Sequence, residues 1–392
     1  MGFLLQLELH FDKSFPDSAC GASAMQSDLY FSEQYKAARK RFRKAARAAD
    51  ARLHKLRLGL KGPLREKLSI DIAVLGNPRP RRALIHSSGV HGVEGFAGSA
   101  IQLRTLENPP DIPEDGGLIL IHCVNPYGMA FHRRVNESNV DLNRNFLKKG
   151  QWKGAHEAYH LLHRLLNPEQ MPRLDFFMPR LVLKAARHGF ERLKQAGAEG
   201  QYEYPDGLFF GGEGLEDGPK QLLKWIKKNL KRARRVCAID VHTGVGEPGE
   251  DWLIIDRAAD GRFIEHMEPH YGSKRLDTPA RGEAIAYTIR GGLDAGLVKA
   301  LHKKSRVDFV TQEFGTPRGG PALLKALRSE NHWVRRGADL DHPARLGLKE
   351  AFSPLDIGWQ RSVVDHGFRL VERTARFLFD RPEAATPDRL VL

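Results

Sequence analysis

His91 and Glu94 lie three residues apart, and a second histidine, His242, lies far downstream in the chain. Two histidines and one glutamate are the protein ligands of many hydrolytic zinc sites, in which the fourth coordination position is open to water. Glycines at positions 92 and 95 let the backbone turn tightly and approach a bound ion. If the three side chains converge, the sequence predicts a metal-dependent hydrolase.

Three candidate residues follow short apolar runs that are typical of buried strands: His91 after 83–86, His242 after 236–241 and Glu313 after 307–311. In open α/β sheets, ligands bind outside the carboxyl ends of the strands. We therefore expect these separate segments to deliver their side chains to one edge of a sheet. Glu313 is interpreted as a general base that activates water beside the metal without binding the metal itself.

The elements that must position these residues follow an α/β pattern. Further strands are predicted at 68–76, 118–124 and 252–255, and a helix is predicted from residue 95 to 103, between two of the strands. The strand runs are apolar at nearly every position, which suits the interior of a sheet covered by helices.

The sequence predicts a tail over residues 1–25 and one catalytic domain over residues 26–392. Helical periodicity predicts a first helix from Ser32 to about Leu56. Residues 151–230 are expected to form a helical insertion. An amphipathic helix is expected near the end of the chain, from roughly His366 to Phe379.

The chain has 62 lysines and arginines against 48 aspartates and glutamates, a formal net charge of +14 that favours anionic partners. The basic stretches 36–47 and 220–235 are interpreted as solvated helix faces. No nucleic-acid recognition motif accompanies them, so nucleic acid is not the expected partner.

The sequence contains no apolar run of about 18 residues, so no membrane span is predicted. Residues 1–7 make a poor secretory signal. The cysteines are three in number and widely spaced, which favours a reducing compartment over a disulfide framework. The expected location is therefore the cytoplasm. The sequence leaves the oligomeric state open.

The order of several motifs resembles the zinc carboxypeptidase family, the carboxypeptidase A-like metallopeptidases, over about residues 65–320. These motifs are His91-x-x-Glu94, Asn125-Pro126 with Arg134, Asp141-Leu142-Asn143-Arg144-Asn145-Phe146, Asp240-Val241-His242 and Glu313-Phe314-Gly315. The resemblance implies a mixed, largely parallel central sheet with helices on both faces. The long helical stretch before His242 and the extended C-terminal segment are more similar to an intracellular, bacterial-type branch than to digestive enzymes.

The resemblance implies that one zinc ion is bound by His91, Glu94 and His242 and that Asp141 orients the first histidine. It implies that Glu313 activates water. An arginine polarises the scissile carbonyl and stabilises the oxyanion in this family, and Arg134 matches its position better than Arg133 does.

The family also grips the terminal carboxylate of its substrate, a task that the resemblance assigns to Asn143 and Arg144. For its mobile substrate-capping tyrosine, Tyr287 is the first candidate and Tyr271 the second. Neither tyrosine has a distinctive flanking motif.

Three functions remain open from the sequence. The first is hydrolysis of a C-terminal peptide bond. The second is hydrolysis of N-acyl amino acids or another small acidic amide, as in the related succinylglutamate desuccinylase and aspartoacylase-like enzymes. The third is a non-catalytic protein that binds acidic partners through its basic faces, which the complete set of ligands and Glu313 disfavour.

Overall fold

The computed structural model describes residues 30–172, 174–255, 259–277 and 289–380. The tail predicted over residues 1–25 lies outside these ranges.

The described residues form an eight-stranded sheet with the order β1-β2-β4-β3-β5-β8-β6-β7. Its strands are β1 Arg52–Lys61, β2 Lys67–Gly76, β3 Arg82–Ser88, β4 Gly116–His122, β5 Arg235–Pro248, β6 Asp251–Ile255, β7 Leu276–Asp277 and β8 Arg306–Gly315. The central strands β4, β3, β5 and β8 are parallel, whereas β2 and β6 run antiparallel to their neighbours β4 and β8. The predicted α/β class with a mixed, largely parallel sheet is confirmed.

Helices cover both faces of this sheet. They are α1 Tyr35–Ala48, α2 Gly95–Glu107, α3 Pro126–Ala130, α4 Tyr159–Leu166, α5 Phe177–His188, α6 Phe190–Ala198, α7 Asp217–Asn229, α8 Gly261–Arg275, α9 Leu293–Ala300, α10 Gly319–Val334, α11 Pro343–Phe352 and α12 Ile357–Phe379. The helix predicted from His366 to Phe379 is confirmed as α12, which begins earlier, at Ile357.

Successive strand residues point to opposite faces of the sheet and so enter two different cores. One core contains Cys237 and Ile239 of β5 with side chains of α1, α2, α8 and α12. The other contains Val236 and Ala238 of the same strand with side chains of α7 and α9. Because both faces are buried, the strands are apolar at nearly every position, as the sequence indicated.

The predicted first helix, Ser32 to Leu56, is wrong over its C-terminal part. The helix ends at Ala48, Asp50 takes a positive φ of 52°, and the chain continues as β1. The alternation of Leu56 with more polar neighbours in β1 is a strand pattern, since this edge strand is partly exposed. The prediction was wrong because it continued the helical periodicity of α1 into the residues of β1.

The region predicted as a helical insertion contains α4, α5, α6 and α7. The first three pack in a separate core with Val93, Leu323 and Leu348, whereas α7 packs directly on the sheet. Val93 lies between His91 and Glu94, so this region borders the segment that carries two candidate ligands. Among the described residues, no helix is both long and apolar enough to span a membrane.

Candidate metal centre

The parallel strands β3, β5 and β8 lie side by side and deliver the candidate residues to one edge of the sheet. His91 follows β3, and His242 pairs in register with Glu313 across β5 and β8. Gly89 links β3 to His91 with a φ of +64°, and a Cβ there would lie 2.8 Å from the Cys123 sulfur. Only glycine fits this turn without displacing its neighbours.

His91, Glu94 and His242 converge as the sequence predicted, with one potential ligand atom from each residue all within 4.8 Å of one another. His91 Nδ1 lies 3.0 Å from Glu94 Oε1, and His242 Nδ1 lies 3.3 Å from Glu94 Oε2. All three side chains are buried. The Thr243 N–H also donates to Glu94 Oε2 at 3.1 Å, which helps to fix the carboxylate.

The opposite nitrogen of each imidazole is held by a buried aspartate. His91 Nε2 lies 3.0 Å from Asp141 Oδ1, and His242 Nε2 lies 2.8 Å from Asp240 Oδ2. A neutral imidazole carries one N–H, so a bond from Nε2–H to the aspartate leaves the Nδ1 lone pair directed at Glu94. Carboxylates commonly orient metal-binding histidines in this way.

A divalent cation fits this cluster. His91 Nδ1 is buried and has no hydrogen-bond partner among the described residues, which is costly unless something else uses its lone pair. Burial lowers the pKa of His242, but Asp240 and Glu94 outweigh burial and raise that pKa well above its usual value. The surroundings therefore favour a positive charge between the imidazoles and Glu94, and nitrogen and carboxylate ligands of this kind suit zinc.

The two candidate arginines have different surroundings. Arg134 Nη1 donates to Glu94 Oε1 at 3.0 Å and Arg134 Nε donates to Asp141 Oδ2 at 3.2 Å, so this guanidinium lies beside the ligand cluster. Arg133 donates instead to Glu330 at 2.7 Å, away from the cluster. The structure thus places Arg134, and not Arg133, against the candidate ligands.

Arg134 also affects the electrostatics of Asp141. Burial raises the pKa of Asp141, but His91, Arg134 and Arg144 together hold it well below its usual range. Asp141 is therefore ionised. Arg134 Nη2 lies 2.7 Å from His91 Nε2, the same nitrogen that faces Asp141.

Glu313 lies next to the cluster and is not one of its three potential ligands. Its Oε1 accepts a hydrogen bond from the Val245 N–H at 3.0 Å. Burial and the nearby Glu94 raise the pKa of Glu313 to about 7, against the opposing effect of His242. A carboxyl group with this pKa can take up and release a proton at neutral pH.

Asn143 and Arg144 form part of the short turn Leu142–Arg144 that directly follows Asp141, and both are buried. The Asn143 side-chain oxygen accepts from the Leu293 N–H at 2.9 Å. Arg144 donates to the carbonyls of Ala198 at 2.8 Å and Asn143 at 3.0 Å. These contacts hold the Asn143 side chain against Leu293 and the Arg144 side chain against Ala198.

Tyr287 and Tyr271 are the two candidates for the capping tyrosine. Tyr287 lies outside the described residues. Tyr271 is buried in the core that contains Ile239, on the face of the sheet opposite to His242 and Glu313, and burial raises its pKa. Its position therefore does not suit a mobile cap.

Asp240 and Ser87 were given no role from the sequence. Ser87 Oγ donates to Asp240 Oδ1 at 2.6 Å, and Asp240 in turn holds His242. The Asp-x-His spacing could have suggested Asp240, because alternate strand residues share a face. Ser87 pairs in register with Asp240 from the neighbouring strand, and no local pattern in the sequence predicts that pairing.

The fold and the side chains together define an α/β protein with a buried His2Glu cluster at the carboxyl ends of its parallel strands. The chain belongs to the protein family described as "Protein of unknown function (DUF2817)", whose model matches residues 31–366. A comparison with curated proteins finds no match.

Several solved structures are similar at low sequence identity. Carboxypeptidase A from Helicoverpa armigera has a TM-score of 0.44 and 11% identity, covering 87% of this chain and 74% of that chain. Bovine thrombin-activatable fibrinolysis inhibitor, in complex with a tick carboxypeptidase inhibitor, has a TM-score of 0.43 and 12% identity, covering 87% and 98%. Murein-tripeptide amidase from Escherichia coli O157 has a TM-score of 0.36 and 15% identity, covering 72% and 92%.

Proposed function

We propose that the protein is a zinc-dependent hydrolase that cleaves a C-terminal peptide bond, or a related amide bond next to a carboxylate. The observation that carries this proposal is the arrangement of His91, Glu94 and His242. Both Nδ1 atoms face one carboxylate, both Nε2 atoms are held by aspartates, and His91 Nδ1 has no hydrogen-bond partner among the described residues.

When bound, zinc would supply Lewis-acid polarisation of the scissile carbonyl and acidify water. In the proposed reaction Glu313 accepts a proton from the attacking water and then delivers it to the leaving amine. A carboxyl group with a pKa near the operating pH suits both transfers, and the pKa of Glu313 is about 7. The hydrogen bond from the Val245 N–H orients this carboxylate.

Arg134 is proposed to stabilise the negative charge that develops on the carbonyl oxygen. Its guanidinium already lies beside Glu94 and Asp141, and 13% of its side chain is exposed, so an incoming substrate can reach it. When His91 carries its proton on Nε2, this N–H and the Arg134 Nη2 are two donors that lie only 2.7 Å apart. This contact is unfavourable, so we expect the Arg134 guanidinium to turn towards the substrate oxygen.

Asn143 and Arg144 are proposed to bind the substrate carboxylate, because they follow Asp141 in the turn beside His91. Tyr287 remains the proposed cap.

A small N-acyl amino acid is the second candidate substrate. It is favoured by the positive charges of Arg134 and Arg144, both of which act on Asp141 and would attract a compact anion.

Metal analysis of the purified protein, followed by a panel of short peptides and N-acyl amino acids, tests the proposal. We expect about one zinc ion per chain and hydrolysis of one substrate class. Glu313→Gln should lower kcat by about 10²- to 10⁴-fold while zinc stays bound. The matched control is Glu247→Gln, which changes an exposed glutamate of the same sheet edge and should leave kcat unaltered.

Zinc loss in Glu313→Gln would contradict the role of Glu313 as a base that does not bind the metal. A metal-free protein that hydrolyses neither class would contradict the proposed function. Hydrolysis of N-acyl amino acids alone would establish the second candidate in place of the peptidase.

A further inference from the structure

A second candidate site lies at the edge of the sheet opposite to the metal centre. There, at the amino ends of the parallel strands, the chain forms a cavity of about 320 Å³. The residues that line it are Asn77, Arg79, Arg81, Asp115, Arg232 and Arg234. Four of the six are arginines, and they come from the loops that precede β3 and β5.

The frame of this cavity is held by hydrogen bonds between separate segments. The Arg81 N–H donates to the Asp115 carbonyl at 2.8 Å, and the Arg234 N–H donates to the Arg81 carbonyl at 2.7 Å. The Asn77 amide donates to the Glu114 carbonyl at 2.9 Å. Three segments distant in sequence are therefore tied together before any ligand binds, which lowers the entropic cost of binding.

Asp115 is paired mainly with Arg82, which does not line the cavity, and among the arginines that do line it Arg81 also lowers the pKa of Asp115. Arg82 donates to both carboxylate oxygens of Asp115, at 2.6 Å and 3.0 Å, and these bonds lower the pKa of Asp115. Arg82 is itself buried and also donates to the Phe379 carbonyl at 2.5 Å, so this pair is anchored in the core. Among the described residues, Asp115 is the one acidic side chain that lines the cavity.

The guanidinium groups of Arg79 and Arg232 are available to a ligand. Both side chains are exposed, and neither forms a hydrogen bond or an ion pair with any described residue. Arg234 is half-buried, and its Nη1 donates to the carbonyls of Lys231 at 3.2 Å and Ala233 at 3.1 Å, which restrains its orientation. The cavity thus combines two exposed arginines with one restrained arginine on a hydrogen-bonded backbone.

We propose that this cavity binds a small ligand that carries two linked phosphate groups. Guanidinium groups bind phosphate oxygens in bidentate pairs, and their charge is retained at every physiological pH. Arg79, Arg232 and Arg234 offer more donors than a single bidentate pair with one phosphate group uses, so this cluster fits a diphosphate better than a single phosphate. The volume lies at the lower end of the range for small-molecule sites, which suits a small ligand.

Titration calorimetry with inorganic pyrophosphate and with orthophosphate, at constant ionic strength, tests this inference. Pyrophosphate should bind with 1:1 stoichiometry and about tenfold more tightly than orthophosphate, since more charge-assisted hydrogen bonds form. The double variant Arg79→Ala/Arg232→Ala should weaken pyrophosphate binding by about tenfold or more. Its matched control is Arg180→Ala/Arg187→Ala, which removes two exposed arginines of α5 outside the cavity.

A bound metal ion could also attract pyrophosphate, so the titration is repeated with His242→Ala. Binding that persists in His242→Ala and is lost in Arg79→Ala/Arg232→Ala supports the cavity. Binding lost only in His242→Ala overturns it and concerns the metal centre instead. Absence of saturable binding, an equal loss in the control pair, or tighter binding of a duplex DNA that the cavity variant abolishes would also overturn the proposal.

Discussion

The two edges of the central sheet use charged residues in opposite ways. At the carboxyl ends of the parallel strands, His91, Glu94 and His242 are buried and face two further buried aspartates. At the amino ends, the side chains of Arg79 and Arg232 are exposed and form no hydrogen bond or ion pair with the described residues. A buried charge is costly unless it is paired and hydrogen-bonded, whereas an exposed arginine keeps its hydration.

This difference indicates what each edge can do. At the carboxyl-end edge, buried hydrogen bonds orient the candidate ligands, as they do in many metal sites. At the amino-end edge, the exposed guanidinium groups of Arg79 and Arg232 are available to bind an anion from solution. Variants at the first edge should therefore change metal affinity and catalysis sharply, and variants at the second edge should have smaller effects on the protein itself.

The largest effect is expected for Glu94→Gln. Glu94 contacts both Nδ1 atoms and accepts from Arg134 and Thr243, so its replacement by a neutral amide removes the anionic group at the centre of the cluster. We expect loss of stoichiometric zinc and of activity, measured by metal analysis after dialysis and by hydrolysis of the best substrate. Retention of zinc at wild-type affinity would show that Glu94 is not a ligand.

A smaller effect is expected for Asp240→Asn, which changes the residue that holds His242 Nε2. The amide can place an N–H where an acceptor is needed and so disfavour the tautomer with a free Nδ1. We expect zinc affinity to fall about 10- to 100-fold, measured by competition with a chromogenic chelator. An unchanged affinity would mean that Asp240 has no part in orienting the ligand.

Ser87→Ala should have a weaker effect of the same kind. Loss of its hydrogen bond to Asp240 removes about 1 kcal/mol of net stabilisation, so zinc affinity should fall by about fivefold. Ser88→Ala is the matched control, because Ser88 is equally buried but its hydroxyl donates to the Ile121 carbonyl. An equal loss of affinity in both variants would point to general damage to β3 rather than to positioning of His242.

The smallest effect on the metal centre is expected for Asp115→Asn, at the opposite edge. Hydrogen bonds from Arg82 lower the pKa of Asp115 in the folded state, so the ionised carboxylate stabilises the fold above its unfolded pKa of about 3.9. That stabilisation is lost as the pH falls through the folded pKa. Because Asp115 is partly exposed, we expect the variant to lose only about 1 kcal/mol at pH 7.

Urea unfolding of wild type and Asp115→Asn at pH 7 and at pH values from 5 down to 3 measures this difference. The two proteins should converge in stability towards the lowest pH. A constant difference across the series would show that the carboxylate charge is not its source. Zinc content should be equal in the two proteins, in contrast to Glu94→Gln at the other edge.

Much of the fold could be predicted because its sheet is covered on both faces. Such strands are apolar at nearly every position, as β3 and β4 are, and they stand out from the amphipathic helices. β1 was missed because it is an edge strand with partly exposed residues. Its weak alternation resembled a continuation of α1, and only the positive φ of Asp50 and the pairing with β2 separate the two elements.

The site shows the same limit. His91, Glu94, His242 and Glu313 could be identified as candidates because each has a chemically suited type and comes after an apolar run that predicts a strand. The structure extends two of these strands, β5 and β8, past His242 and Glu313. The hydrogen bond from Ser87 to Asp240 could not be predicted, because it depends on the register between β3 and β5. The arginine cavity depends likewise on loops that only the sheet brings together.

The sequence by itself determined the types of the donor groups, their order and the α/β pattern that carries them, since these follow from residue chemistry and local periodicity. The tertiary structure decided which atoms meet. It turned Arg134 towards Glu94 and Arg133 towards Glu330, and directed both Nδ1 atoms at one carboxylate. Neighbouring residues in a chain share the same local pattern, and burial, register and the pairing of charges distinguish their positions.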